Sequence, residues 1–212
     1  EAKGNIVMPG VIDAHTHLGI GEEGVGWEGQ DYNEMTDPFT PQLRAIDAVN
    51  PDDFGIKEAL ENGVTTIMTG PGSANVVGGE SMVIKTTGKT IDEMVLKNPA
   101  GIKAAFGENP KRVYNEQKKL PTTRMGIAAV MRENLMKAQD YLAKKEKAQK
   151  DNEPFDRDIK MESLIRVIKK ELPLKVHAHR ADDIMTAIRI AREFDIDITL
   201  EHCTEGHKVA DE

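Results

Sequence analysis

Val11-Ile-Asp-Ala-His-Thr-His-Leu18 is an apolar, β-branched run that ends in two histidines one residue apart. The break at Pro9-Gly10 and the run from Gly10 to Ala14 predict a buried strand. Residues i and i+2 of a strand share a face, so His15 and His17 leave the strand end together. Each imidazole has two ring nitrogens to satisfy. One reading is a pair of hydrogen-bonded histidines at a strand end. The other is a divalent-metal site, since imidazole is a common metal ligand.

The other histidines favour the second reading. The chain has six. His177 and His179 close the strand-like run that begins at Leu174, and His202 closes the run that begins at Ile198. Three strands therefore deliver histidine near a C-terminal end, the place where ligands and catalytic groups gather in parallel α/β barrels. Scattered core histidines would not repeat in this way.

Around these runs the pattern alternates. A Gly-rich, acidic loop is expected from Gly19 to Asp37, a helix from Asp52 to Asn62 with Gly63 as its stop, and a second strand from Val64 to Thr69. Ser81 to Thr86 and Ile102 to Phe106 read as extended, and Thr122 to Lys150 has helical composition ending in a solvated charged stretch. Helices over Met161 to Lys170 and Asp182 to Phe194 bracket a strand from Leu174 to Ala178, with another from Asp197 to His202. This order predicts a parallel sheet with crossover helices.

The segments "PGVIDAHTHL" and "ENGVTTIMTGPG", with "KVHAHR" and "TLEHCTEGH" further on, resemble the metal-dependent amidohydrolase superfamily, and more closely its imidazolonepropionase-like group, which also holds metal-dependent dipeptidases. The resemblance runs from Val7 to His207. It implies a TIM-barrel-like (β/α)8 hydrolase barrel, incomplete in this chain, with about six of eight βα units. Residues 1–212 are then one partial barrel domain. The β-sandwich that flanks such barrels and the last barrel strands are expected to be absent, because a complete barrel takes about 250 residues and the chain starts at Glu1 without an initiator Met and stops at Glu212.

The resemblance also implies a ligand set. His15 and His17 match the first-strand pair, His177 the fifth-strand ligand and His202 the sixth-strand ligand. Lys103, in the pair Ile102-Lys103, matches the lysine that bridges two metals in many relatives. It would have to be carbamylated, because an ammonium cannot ligate. Its bland alternative is a surface lysine, and Glu108 in "FGENPKR" is the alternative bridge. The cofactor implied is one or two divalent ions, zinc first, with manganese or iron as alternatives. His179, Arg180 and His207 are weaker substrate-binding candidates. The proton-shuttling aspartate of the family is expected beyond Glu212, so the chain by itself is expected to be inactive.

The function implied is hydrolysis of a C–N bond, in an amide, a cyclic amide or a dipeptide, by metal-activated water. Alternatives are a metal-dependent phosphoesterase barrel and a non-catalytic metal-holding domain. Lys111 and Arg112 could pair with a substrate carboxylate, though each reads first as an ordinary surface charge. The Gly70-Pro-Gly72 and Gly78-Gly79 turns could contact substrate or simply serve turn geometry. Cys203 has no nameable base, and Trp27 could cap the pocket.

Bulk properties exclude other classes. A formal net charge of -8 over 212 residues, with 39% hydrophobic content, and no basic cluster with aromatics argue against a nucleic-acid partner. No stretch approaches ~20 apolar residues, so no membrane span is expected. Cys203, the single cysteine, forms no internal disulfide, and a reducing cytoplasm is the expectation. A small-molecule substrate is the expected partner, and open sheet edges are compatible with a homo-oligomer.

Overall fold

The computed structural model describes residues 2–212. Six strands form one sheet in chain order: β1 (Val11–Thr16), β2 (Val64–Thr69), β3 (Val77–Lys85), β4 (Val95–Ala105), β5 (Leu174–Ala178) and β6 (Ile198–His202). The pairs β1–β2, β4–β5 and β5–β6 are parallel. β3 runs antiparallel to both β2 and β4. Five strands thus share one direction and β3 opposes them.

This corrects the expectation of a purely parallel sheet of six βα units. The cause is connection length. Parallel neighbours need a crossover of a dozen or more residues, usually a helix, whereas a short connection turns the chain back on itself. Only residues 70–76 separate β2 from β3. β4 is also longer than the expected Ile102 to Phe106, because its first half pairs with the far end of β3, Val83 opposite Lys97 and Ile84 opposite Val95.

The helices are α1 (Phe54–Glu61), α2 (Ile91–Met94), α3 (Glu108–Glu116), α4 (Arg124–Asp151), α5 (Ile159–Ile168) and α6 (Ala181–Phe194). Their starts follow capping chemistry. The Asp53 carboxylate accepts from Gly55 N, and also from Gly19 N (2.8 Å) and Glu23 N (3.0 Å), which ties the first loop to α1. Thr123 caps α4 through Gly126 N, and Asp158 caps α5 through Lys160 N and Met161 N. No helix among the described residues is long and apolar enough to cross a membrane.

Strand alternation sorts the sheet into two faces. On the outer face Ile102, Ala104, Leu174, Val176 and Ala178 are buried, and the larger core joins the first four to Ile127, Met131 and Leu135 of α4, Leu164 of α5 and Ile190 of α6. A second core gathers Ile56, Ile67, Met82, Ile84 and Met94 under α1 and α2. The inner face is polar and carries Lys103, Lys175, His177, Thr199 and Glu201, in register across β4, β5 and β6.

One strand departs from expectation. β1 is not buried: Val11 is 46% and Ile12 68% exposed. It is an edge strand that pairs only with β2, so one side and much of its surface face solvent. The apolar run reads as a buried strand because sequence reports the side chains and not how many neighbours they find.

Because Leu135 is fully buried between α4 and its neighbours, Leu135→Ala is expected to cost about 2–5 kcal/mol of unfolding free energy, read by urea denaturation. A cost near zero would mean that α4 is not part of the core.

Candidate metal centre

The sheet curls until its edges meet at one end. His15, from β1, lies with its ring centroid 4.7 Å from that of His202, from β6. His177 lies 4.7 Å from His202 and 4.7 Å from His179, and His17 is 5.5 Å from His15. Five of the six histidines therefore share one mouth. One ligand atom each from His177, His179 and His202 lies within 4.8 Å of the others, the spacing of a candidate metal group.

Alternation alone would send His202 to the helix side with Leu200. Its φ of 66° rotates the side chain about N–Cα and returns it to the mouth, and Cys203 follows at φ 49°. Non-glycine residues rarely hold this left-handed backbone, which is concentrated at functional sites. The turn is pinned by Cys203 N donating to Ala178 O at 3.1 Å and to Glu201 O at 2.8 Å.

Hydrogen bonds fix which ring nitrogens face the centre. His17 Nδ1–H donates to the Gly70 carbonyl at 2.7 Å. His15 Nδ1–H donates to the Glu201 carboxylate at 2.6 Å. With Nδ1 so engaged, Nε2 is the ring nitrogen that each histidine has left for another partner. Lys103, only 4% exposed, brings Nζ to 3.5 Å from His15 Nε2. His177 Nε2 lies 3.2 Å from the Asn109 carboxamide nitrogen, and its Nδ1 is buried with no hydrogen-bond partner. His179 Nδ1 pairs with Thr204 Oγ1 at 2.7 Å.

The charges follow from burial. Burial, with the nearby Lys103 charge and the other histidines, drives His177 down to about 3, so its imidazole is neutral. Burial also lowers His17, against the Gly70 hydrogen bond, and lowers His202, reinforced by His15. Burial lowers the Lys103 ammonium to about 8, although Glu201 opposes the shift. Burial alone would raise Glu201. Hydrogen bonds from His15, Lys175 and Thr199 reverse this and hold its carboxyl well below the usual range. Lys175 Nζ meets Glu201 at 2.6 Å.

This donor set fits a divalent cation. Neutral imidazoles are the protonation state that ligates, and the orphaned His177 Nδ1 is a buried ring nitrogen without a hydrogen-bond partner, which calls for one.

Other sequence candidates lie elsewhere. Glu108, the first residue of α3, has a side chain 54% exposed and aimed at Arg124, 3.9 Å away, so it does not face the histidines. His207 is exposed in the turn Gly206–Lys208 and makes no ring contact with the other histidines among the described residues. Arg180 is spent on exposed Asp182 at 2.7 Å. Lys111 and Arg112 lie on the exposed side of α3. Trp27 is 85% exposed and caps nothing. Glu201 and Asn109 went unread in the sequence. Glu201 had a usable signal, since it shares the inner face with Thr199 beside the histidine of its strand. Asn109 had none, because α3 was not anticipated.

No protein-family model matches the chain. It is 28% identical, over an alignment of 231 residues, to amidohydrolase tasK of Hapsidospora irregularis, covering 99% of this chain and 23% of that protein. It matches the crystal structure of an amidohydrolase from Thermotoga maritima with a TM-score of 0.93 and 52% identity, covering 95% of this chain and 53% of that one. These likenesses support an amidohydrolase-family protein. The chain spans about half the length of the solved relative and less than a quarter of the curated one.

The histidine burial has a pH signature. A folded-state value depressed from 6.5 to about 3 stabilises the fold fully above pH 6.5, and the contribution is lost as pH falls from 6.5 toward 3. His17 and His202 act in the same direction. Urea midpoints are expected to fall as pH drops below 6.5, and His177→Asn is expected to flatten that slope. An equal slope in both proteins would contradict the buried, neutral His177.

Proposed function

We propose that this chain forms the metal-holding part of an amidohydrolase that cleaves a C–N bond, in an amide, a cyclic amide or a dipeptide, and that its nearest functional kin are the imidazolonepropionase-like hydrolases. The observation that carries the reading is the gathering of imidazoles from three strands at one mouth, with a neutral His177 whose buried Nδ1 is unpartnered. The amidohydrolase names of the two relatives support the reaction class.

His15 and His17, through Nε2, would hold one side of the centre, and His177 and His202 the other. A bound divalent cation supplies Lewis acidity, polarising a substrate carbonyl and acidifying water. Lys103 would bridge the two sides as a carbamate. Its depressed ammonium leaves a useful fraction of neutral amine near pH 8. That amine attacks the carbon of CO₂, forms an N–C bond and loses a proton, which turns a repelling cation into a bridging anion. Glu201 then keeps two tasks: it orients His15 and neutralises Lys175. His179, half-buried at the mouth with Nδ1 held by Thr204, offers Nε2 to accept a proton or touch substrate.

Purified protein loaded with Zn²⁺ or Mn²⁺ is expected to retain metal after desalting, and His177→Ala or His202→Ala to lose it, as read by elemental analysis. Lys103→Ala is expected to lower the metal content, and added bicarbonate to raise that of the wild type. Assayed against N-acyl amino acids, dipeptides and cyclic amides, the loaded protein carrying this chain is expected to release amine. Unchanged metal content in the histidine variants, or turnover of phosphate esters instead of amides, would contradict the proposal.

A further inference from the structure

The segment Gly107-Glu-Asn-Pro-Lys-Arg112 contributes a group that the ligand set does not explain. Gly107 holds φ 88°, and a Cβ there would come within 2.7 Å of Asp183 Oδ2, so only glycine fits at this turn. Asp183 is itself buried and locked to Arg124 at 2.8 and 3.1 Å. The tight turn starts α3 directly at the mouth of the sheet. One residue earlier, Phe106 N donates to the His177 carbonyl at 2.9 Å. The same short segment therefore grips His177 twice, at its backbone and, through Asn109, at its ring.

The ring contact is a choice between two proton arrangements. Asn109 Nδ2 lies 3.2 Å from His177 Nε2. If Nδ2–H donates to Nε2, the imidazole proton sits on Nδ1, where it is buried and meets no acceptor. If the carboxamide is turned by a half-rotation, Oδ1 accepts from Nε2–H, and Nδ1 keeps a bare lone pair. The two ends of a carboxamide are nearly equal in outline, so the network decides between them. Only the second arrangement leaves the buried, unpartnered Nδ1 with a lone pair to give, on a ring that belongs to the group His177, His179 and His202, each of which brings one nitrogen within 4.8 Å of the others. A ligating histidine generally donates its other N–H to a fixed acceptor, which sets the tautomer.

We propose that Asn109 is a positioning residue: its carboxamide oxygen accepts the proton of His177 Nε2 and thereby presents Nδ1 as the atom that ligates a divalent cation. This rests on the reading of the histidine cluster as a cation site. It adds a residue that touches neither metal nor substrate and whose role is to choose the ligand atom.

Two readouts separate the claims. In metal-free protein labelled with ¹⁵N-histidine, the imidazole shifts of His177 are expected to report Nε2 protonated and Nδ1 bare. Asn109→Leu, close in volume but without an acceptor, is expected to mix the tautomers, and Asn109→Asp, whose carboxylate accepts in the same place, to keep the wild-type pattern. By chelator competition, Asn109→Leu is expected to bind Zn²⁺ about 10–100-fold more weakly, with Asn109→Asp restoring the affinity. A wild-type His177 protonated at Nδ1 overturns the proposal and needs no variant to fold. So does an Asn109→Leu protein with wild-type tautomer and affinity, or an Asn109→Asp protein as weak as Asn109→Leu. Failure of the wild type to take up zinc overturns the cation reading, and with it the ligand role of Nδ1. The metal-free tautomer reports on Asn109 independently of that outcome.

Discussion

The hydrogen bond from His15 Nδ1 to Glu201, 2.6 Å long, joins the first strand of the sheet to the last. The rest of the centre depends on that meeting. Without it, the paired histidines of β1 and the histidines of β5 and β6 would sit at opposite edges of an open sheet. With it, imidazoles from residues nearly two hundred positions apart in the chain come within ring contact. Glu201 bears the electrostatic load as well. The inner face carries Lys103 and Lys175 in adjacent register, and one buried carboxylate answers both. Removing one partner of such a buried set typically costs about 3–5 kcal/mol, because the remaining charge is left uncompensated.

Strain and burial concentrate at the same place. Two consecutive left-handed, non-glycine residues, His202 and Cys203, cost of order 1–3 kcal/mol each. They persist because backbone bonds to Ala178 and Glu201 fix the turn. An energetically costly turn that aims an imidazole at three others is better explained by the site than by packing. The outer face offsets the expense. There the apolar residues of β4 and β5 meet α4, α5 and α6 in a dry core, so the polar inner face can stay polar.

What could be read from sequence was set by local patterns. Apolar runs located β1, β2, β5 and β6 to within a residue or so, and the period of two brought His15 and His17 together. The cap Asp53 lies at the expected start of α1, whereas α5 starts two residues before the expected Met161, behind the cap Asp158. Long-range features were not legible. The direction of β3 follows from the length of its connection, not from its composition. The exposure of β1 depends on having one neighbour rather than two. The aim of His202 depends on a single φ angle. The contact between Asn109 and His177 needs a turn at Gly107 whose necessity appears only when Asp183 is seen beside it.

The central claim is that the imidazoles at this mouth together hold a divalent cation. X-ray absorption spectroscopy at the zinc edge of the zinc-loaded protein tests it most directly. The account predicts histidine-type scattering with Zn–N distances of about 2.0–2.1 Å, lost in His177→Ala. A zinc ion surrounded only by oxygen, or one whose spectrum is unchanged when His177 is removed, would contradict it.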